Sequence, residues 1–559
     1  MRRVMDQRYR VLACIILCSL SLLAAGCDGS HSSNSVQEGL FVDNAVEGLF
    51  YQTASMSGRT DANGTFQYHR GNQFISFYLG PPADEGVFLG TGLIQAEMSP
   101  LDLVPDSEAE KGILNNEVTN ISRLLQTLDV DGDLNNNISI TSDMETVLQG
   151  HTIAFDLDMA AFSAHVQPLI DELNDNAVFT DTSPRALKTA AQARSHLRES
   201  LSLVLDPDVS QQLEEMMEET IAEYGWPGAA MGVRLSDGSA WFGTTGVADL
   251  ETETAVDITD KFRIGSVTKT FTATVVLQLA QEGVLGLDDS IEAWLPGLVP
   301  NGENITIRQL MNHTSGLFNY WHLGDPTYME ALEDLLRVWA PRELVEIVAE
   351  HDPYFEPGEG WEYSNIGPIL EAMIVEKVTG ATIESQITDR VIRPLGLDHT
   401  SMPGDETITP PHAYGYLDLN FNGVYDAVDD DISFFDTSFA WASGAIITSI
   451  EDLLRWCTAL TAGEMINDTY QAQRLDFYEI SEDLGSGLGI FNEHGALGHK
   501  GDIFGYQATV QRYGGVDIAV VVNGQGLVGV DPPEGTGNVA QIIFWNSLPI
   551  LGLTEPETP

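Results

Sequence analysis

The stretch Phe262-Arg263-Ile264-Gly265-Ser266-Val267-Thr268-Lys269-Thr270-Phe271 opens an apolar segment that runs on through Val275, Leu279 and Gly283. Its periodicity predicts a helix from Ser266 to about Glu282, with Gly283 as the C-terminal cap. Residues three apart share a helix face, so Lys269 is expected to bring its amine to the Ser266 hydroxyl. The positive end of the helix dipole favours a developing oxyanion and a neutral lysine at the same place. A Ser-x-x-Lys match is weak by itself. It gains weight because the chain holds only six lysines, Lys111, Lys188, Lys261, Lys269, Lys377 and Lys500, and two of them fall inside motifs.

Two further constellations follow in order. Tyr363-Ser364-Asn365 comes after the turn-rich Phe355–Trp361. A phenol of lowered pKa there is expected to relay a proton, and the Asn365 amide to hold a substrate amide. Gly498-His499-Lys500-Gly501, after the glycine-rich Gly485–Gly489 and before Tyr506–Val510, reads as the edge strand lining an active site.

The ordered set Ser-x-x-Lys, Tyr-x-Asn and His-x-Gly resembles the three motifs of the serine β-lactamase and DD-peptidase superfamily. The phrases around it match as well: ITIRQLMNHTSGL (305–317), FEPGEGWEYSN (355–365), PLGLDHTSM (394–402) and WASGAIITS (441–449). They look most like serine-type D-alanyl-D-alanine carboxypeptidases. The resemblance implies an α/β penicillin-recognising fold, an antiparallel sheet flanked by helices plus a helical subdomain. It also implies a serine hydrolase in which Ser266 forms an acyl-enzyme, Lys269 takes its proton and Tyr363 protonates the leaving group. Asn365 orients the substrate, His499 polarises the Tyr363 side, and the N–H groups of Ser266 and Asp502 match the oxyanion positions. No cofactor is required for this chemistry.

This chain departs from the carboxypeptidases where they hold the substrate's terminal carboxylate. Their arginine after a Gly-Leu-Gly-Leu phrase is replaced by Phe491, which follows Gly487-Leu488-Gly489-Ile490. Two hydroxyl positions on the third-motif strand are Lys500 and Asp502, flanking Gly501. Lys500 offers a replacement charge, whereas Asp502 repels a carboxylate. Peptidoglycan stem peptides, β-lactams and small esters or amides all stand as candidate substrates, with an esterase or amidase on neutral or cationic groups as the alternative to a D-Ala-D-Ala carboxypeptidase. A catalytically silent cell-wall-binding scaffold is a third reading, disfavoured by the intact motifs.

Outward from this region, the 559-residue chain is long enough for several domains. With 83 acidic and 26 basic residues it carries a net charge of −57, which repels phosphate backbones and argues against nucleic acid as a partner. The N-terminus has a basic start, an apolar run from Val11 to Leu23, and Ala24-Ala25-Gly26-Cys27. That is a secretory signal, and its end resembles a bacterial lipobox in which Cys27 is lipidated. The expectation is an exported chain at the periplasm or cell surface, held to a membrane only through that lipid. The expected division is a signal peptide 1–26, a tether 27–37, a small β-sandwich-like domain 38–105, a helical connector 106–205, the hydrolase domain 206–554 and a tail 555–559.

Two acidic runs invite a metal. Asp129, Asp131 and Asp133 lack the glycine and twelfth-position acid of a calcium loop and read as a polar turn. Asp418, Asn420, Asn422, Asp426 and Asp429, with Gly423 at the sixth place, have EF-hand-like spacing and form a candidate structural calcium loop.

Overall fold

The computed structural model describes residues 35–104, 112–134, 136–181, 184–321, 326–419, 424–525 and 538–554. Cys27, Asn420 and Asn422 lie outside them.

The first part of the chain is built by alternation. Along Phe74–Leu79 every second residue, Ile75, Phe77 and Leu79, is buried. This strand belongs to a four-stranded sheet with Ser57–Arg59, Phe50–Thr53 and Val87–Leu93. A three-stranded sheet pairs Val36–Phe41 with Thr65–His69 and Glu97–Met98. Helices Asn116–Thr127, Met159–Asp175 and Ala190–Ser200 follow. Phe41, Phe66 and Phe77 from the strands share one core with Leu124, Phe162 and Leu197 from these helices. The sequence stretches on either side of residue 105 therefore form one packed unit, because the helices cover the apolar strand faces. It meets the rest of the protein through an Arg198–Glu451 ion pair at 3.3 Å, a hydrogen bond from Asn116 Nδ2 to the Pro394 carbonyl, and a bridge between Val204 and Ala240.

The second part is organised by nine antiparallel strands in the order Thr254–Ala255, Ala240–Asp249, Gly228–Arg234, Val516–Val522, Tyr506–Tyr513, Ala496–Ile503, Phe491–Glu493, Leu484–Ser486 and Tyr478–Glu479. The expected Asp237-Gly238 hairpin joins Gly228–Arg234 to Ala240–Asp249. The central strand Val516–Val522 is buried throughout and feeds both faces. Ile518, Val520 and Val522 pack under helices Pro207–Tyr224 and Val539–Ile550, while Ala519 and Val521 join the core of helices Thr268–Gln281 and Ile450–Ala462. A helical subdomain containing Ile307–Met311, Pro341–Ala349 and Ile366–Thr379 closes over the nucleophile helix. Among the described residues no helix is long and apolar enough to cross a membrane.

Candidate active site

Ser266 stands in a 3-10 turn, Gly265–Val267, and the α-helix proper spans Thr268–Gln281. The expected helix thus starts two residues late, and the turn packs against the interior strand Ala496–Ile503. Gly265 has φ +47°, and a Cβ there would come within 2.6–2.8 Å of the Asp502 backbone. A Cβ on Gly501 would lie 2.0 Å from the Ile264 carbonyl and 3.2 Å from the Ser266 nitrogen. Two glycines therefore let the strand Ala496–Ile503 run directly against the serine turn. This contact brings the Ser266 and Asp502 backbone nitrogens together, the geometry of an oxyanion hole, where one donor contributes about 3 kcal/mol of transition-state stabilisation.

Lys269 is buried, with Nζ 2.8 Å from Ser266 Oγ and donating to the Ser443 carbonyl at 2.9 Å. Burial holds its amine well below the ordinary lysine range, against the opposing pull of Glu371. A neutral amine at hydrogen-bond distance is equipped to take the serine proton.

Tyr363 packs beside that amine, its ring centroid 5.1 Å from Lys269 Nζ. The phenol was expected to be acidified, and the opposite holds: burial pushes its pKa up, and only the Ser266 hydroxyl beside it pulls the other way. Tyr363 therefore rests as a neutral phenol, suited to pass a proton along, and the depressed group at the site is Lys269. His499 is buried 6.3 Å from Tyr363 between ring centroids. Its Nδ1–H donates to the Lys500 carbonyl, which leaves an Nε2 lone pair with no hydrogen-bond partner. Burial and the nearby Lys269 lower its pKa to about 3, so the ring is neutral. Asn365 stands just before helix Ile366–Thr379 without a side-chain capping bond, and its N–H and Nδ2 both donate to Asn319 Oδ1, at 3.1 and 3.2 Å.

The groups set against a substrate carboxylate fall out differently from the sequence expectation for Lys500. Lys500 Nζ is bound to the Glu493 carboxylate at 3.1 Å, so its charge is already matched. Asp502 opens onto the cleft yet is enclosed by protein atoms, which raises its pKa to about 6 against hydrogen bonds from Gln507, Asn538 and Gln525. Phe491 stacks on His313 with an interplanar angle of 7° and fills the place of the missing arginine with an apolar ring. Ser266, Tyr363 and Asp502 border two cavities, of about 320 and 300 Å³.

Three participants were not singled out from sequence. His313 sits at φ +61°, accepts from the Ser364 N–H at Nδ1, and lies 4.5 Å from the Tyr363 ring. Burial drives its pKa far down, so it too is neutral, and a strained backbone at such a place is a common mark of a site. Its signal lay within the quoted phrase 305–317. Ser443 lay likewise within 441–449. Glu371 is the lone acid in the apolar helical run Ile369-Leu370-Glu371-Ala372-Met373-Ile374-Val375, and that interruption was legible. Its carboxyl is buried, Oε1 has no hydrogen-bond partner, and burial raises its pKa to about 8.

The acidic loops are held by their own backbone. Asp426 Oδ1 accepts from the N–H groups of Val428 and Asp429, and Asp131 Oδ1 from that of Asp133. Among the described residues no group of three or more acids, histidines or cysteines is arranged to hold a metal.

The Beta-lactamase family model matches residues 212–542. The chain belongs to the Beta-lactamase family. Beta-lactamase-fold serine hydrolases need no cofactor. Penicillin-binding protein 4* of Bacillus subtilis (strain 168) is 28% identical over 287 residues, covering 48% of this chain and 61% of that protein. Protein flp of Staphylococcus aureus (strain MRSA252) is 30% identical over 260 residues, 45% of this chain and 49% of that protein. The chain thus spans about half to three-fifths of the length of these curated relatives. Among solved structures, the D-stereospecific amidohydrolase from Streptomyces sp. is 35% identical with a TM-score of 0.51, covering 57% of this chain and 95% of that one. The D-amino acid amidase from Ochrobactrum anthropi SV3 shares the fold at 24% identity, with a TM-score of 0.55 over 62% of this chain and 99% of that one.

Proposed function

We propose that this Beta-lactamase family member is an amidase or esterase working through an acyl-enzyme on Ser266, and that its substrates lack a free carboxylate at the scissile group. Ser266 attacks the carbonyl carbon while Lys269 takes the hydroxyl proton. The oxyanion forms against the Ser266 and Asp502 N–H groups. Tyr363, still neutral, passes the proton to the leaving nitrogen or oxygen as the tetrahedral intermediate collapses. Water then repeats the sequence on the acyl-enzyme. Asn365 holds the substrate amide, and the neutral His499 offers its free Nε2 lone pair to the Tyr363 side.

The observation that carries the substrate reading is the charge beside the oxyanion nitrogens: Asp502 faces the cleft, and Lys500 is tied to Glu493. A carboxylate brought there meets a like charge and no available cation, which disfavours a carboxypeptidase. Similarity to a D-stereospecific amidohydrolase supports the amide side of the reading. A fluorophosphonate or fluorescent penicillin is expected to tag the wild type and not Ser266→Ala. Turnover of an amino-acid amide or a p-nitrophenyl ester is expected to exceed that of a D-Ala-D-Ala peptide; a clear peptide preference refutes the amidase reading and favours the carboxypeptidase.

We also propose that the chain is exported and lipid-anchored at Cys27, on the strength of the lipobox-like Ala24-Ala25-Gly26-Cys27. Radiolabelled palmitate should enter the wild type and not Cys27→Ser.

A further inference from the structure

Of the two cavities flanking Ser266, the one of about 320 Å³ has an unusual lining. Its walls include Tyr320, Trp321, Tyr328, Phe439 and Phe504, and its acids are Asp502 and Glu362. Among the described residues no lysine, arginine or histidine lines it. The other cavity, on the Phe491 side, contains the Lys500–Glu493 pair and His499. The Phe491 side therefore holds a matched pair beside Asp502, whereas among the described residues the other side sets Asp502 and Glu362 among aromatic rings and uncharged polar groups such as Asn365 and Gln525, with no cation.

The aromatic wall is firmly built. Trp321 stacks on Phe439 with centroids 4.2 Å apart, Phe504 meets Tyr328 edge-on at 5.3 Å, and the Tyr320 hydroxyl is anchored on the Phe439 carbonyl at 2.6 Å. These rings keep their arrangement without a ligand, so their faces and edges form a fixed apolar enclosure. Asp502 is steadied by the amides of Gln507, Asn538 and Gln525, none of which cancels its charge. Glu362 has no cation paired with it among the described residues. Electron-rich ring faces and unmatched carboxylates in one enclosure attract the same kind of guest: a positive charge wrapped in hydrocarbon. A bare metal ion would lack oxygen ligands on the ring side, and a neutral aliphatic group would leave both acids unanswered. The net charge of −57 adds a long-range field that draws cations toward the protein at low salt.

We propose that this chamber binds an organic cation, an alkylammonium or quaternary ammonium group carried by the substrate, with the rings around its alkyl shell and Asp502 and Glu362 balancing its charge. The assignment rests on the reading of Ser266 as the acylated residue and sharpens it, because it names what the uncarboxylated substrate carries. Tyr328, Tyr363, Glu362 and Lys500 are the other titratable groups around Asp502, and burial holds the two phenols neutral. Preference for the cation should therefore fade as the pH drops through about 6, where Asp502 takes up a proton.

The experiment uses the full chain and an isosteric pair of thioesters, butyrylthiocholine and its uncharged 3,3-dimethylbutyl analogue. Wild type is expected to favour the cationic member in kcat/KM by about tenfold or more. Asp502→Asn and Glu362→Gln should each shrink that ratio severalfold, and added sodium chloride should shrink it in the wild type. As a readout independent of turnover, tetramethylammonium chloride should change tryptophan fluorescence more than sodium chloride at equal ionic strength, and Trp321→Leu should remove the difference. A ratio near one in wild type that labels with fluorophosphonate overturns the chamber assignment and leaves the serine hydrolase reading intact. A ratio unchanged in both acid variants overturns it as well. Failure of fluorophosphonate labelling overturns the acyl-enzyme reading instead, while the fluorescence difference still decides whether the chamber takes a cation.

Discussion

Arg123 in the N-terminal unit and Lys269 in the hydrolase domain are both buried basic side chains, and they are treated in opposite ways. Arg123 is surrounded by acceptors: Nε donates to the Lys188 carbonyl at 2.8 Å, Nη1 to Asn120 Oδ1 and the Met159 carbonyl at 3.2 Å, and Nη2 to Ser163 Oγ at 2.7 Å. Lys269 has one carbonyl and the nucleophile. Around it, Glu371 Oε1 and His499 Nε2 are buried without a hydrogen-bond partner. A satisfied network gains stability and shape; an unsatisfied one keeps protons loosely assigned and available for transfer. The contrast separates a structural charge from a reactive one on geometry alone.

The comparison breaks first at Lys269. Lys269→Met should lower kcat/KM by at least about a thousandfold, because the serine then has no base. Its melting temperature should hold or rise, since an apolar side chain replaces a poorly satisfied amine. Loss of folding in this variant would mean that Lys269 is structural in the manner of Arg123.

The mirror-image change is Arg123→Met. The Lys188 carbonyl and Asn120 Oδ1 would lose their Arg123 donors, while the Met159 carbonyl keeps the Ser163 hydroxyl, and the N-terminal unit should lose about 3 kcal/mol of stability by denaturant unfolding. Activity per folded molecule should stay close to wild type. A catalytic loss matching that of Lys269→Met would show that the unit takes part in the chemistry.

The smallest effect tests Glu371. Burial raises its carboxyl to about 8, so it is neutral below that pH and ionised above it. Once ionised, it stabilises the ammonium that forms when Lys269 takes the Ser266 proton. Desolvation still dominates at Lys269 and keeps the resting amine free. The sign is therefore a severalfold rise in kcat/KM on going up through about pH 8, seen with a p-nitrophenyl ester. Glu371→Gln should flatten this rise without lowering the melting temperature. A rise that survives in the variant assigns it to another group.

The family and the order of the motifs were legible because they rest on local spacing. Ser266 and Lys269 are three residues apart on one helical turn, and the tyrosine, asparagine and histidine follow within recognisable phrases. The strand alternation of residues 74–79 and the Asp237-Gly238 hairpin were legible for the same reason, since side-chain direction along a strand and the conformation of a short turn are properties of neighbouring residues.

Charge states and charge pairings were not legible. No spacing indicates that Tyr363 is enclosed enough to raise its pKa, that Glu493 on the adjacent strand claims Lys500, or that Asp502 ends up opposite an aromatic wall drawn from residues 320, 321, 328, 439 and 504. Nor does it show that residues 36–98 share a core with the helices that follow, from Asn116–Thr127 to Ala190–Ser200. Desolvation and Coulomb interaction depend on what the fold brings within a few ångströms from distant parts of the chain. The sequence by itself determined the family and the ordered motifs on which the acyl-enzyme proposal rests, because both are local spacings. The tertiary structure decided which protons are free to move and which charge the cleft is prepared to receive.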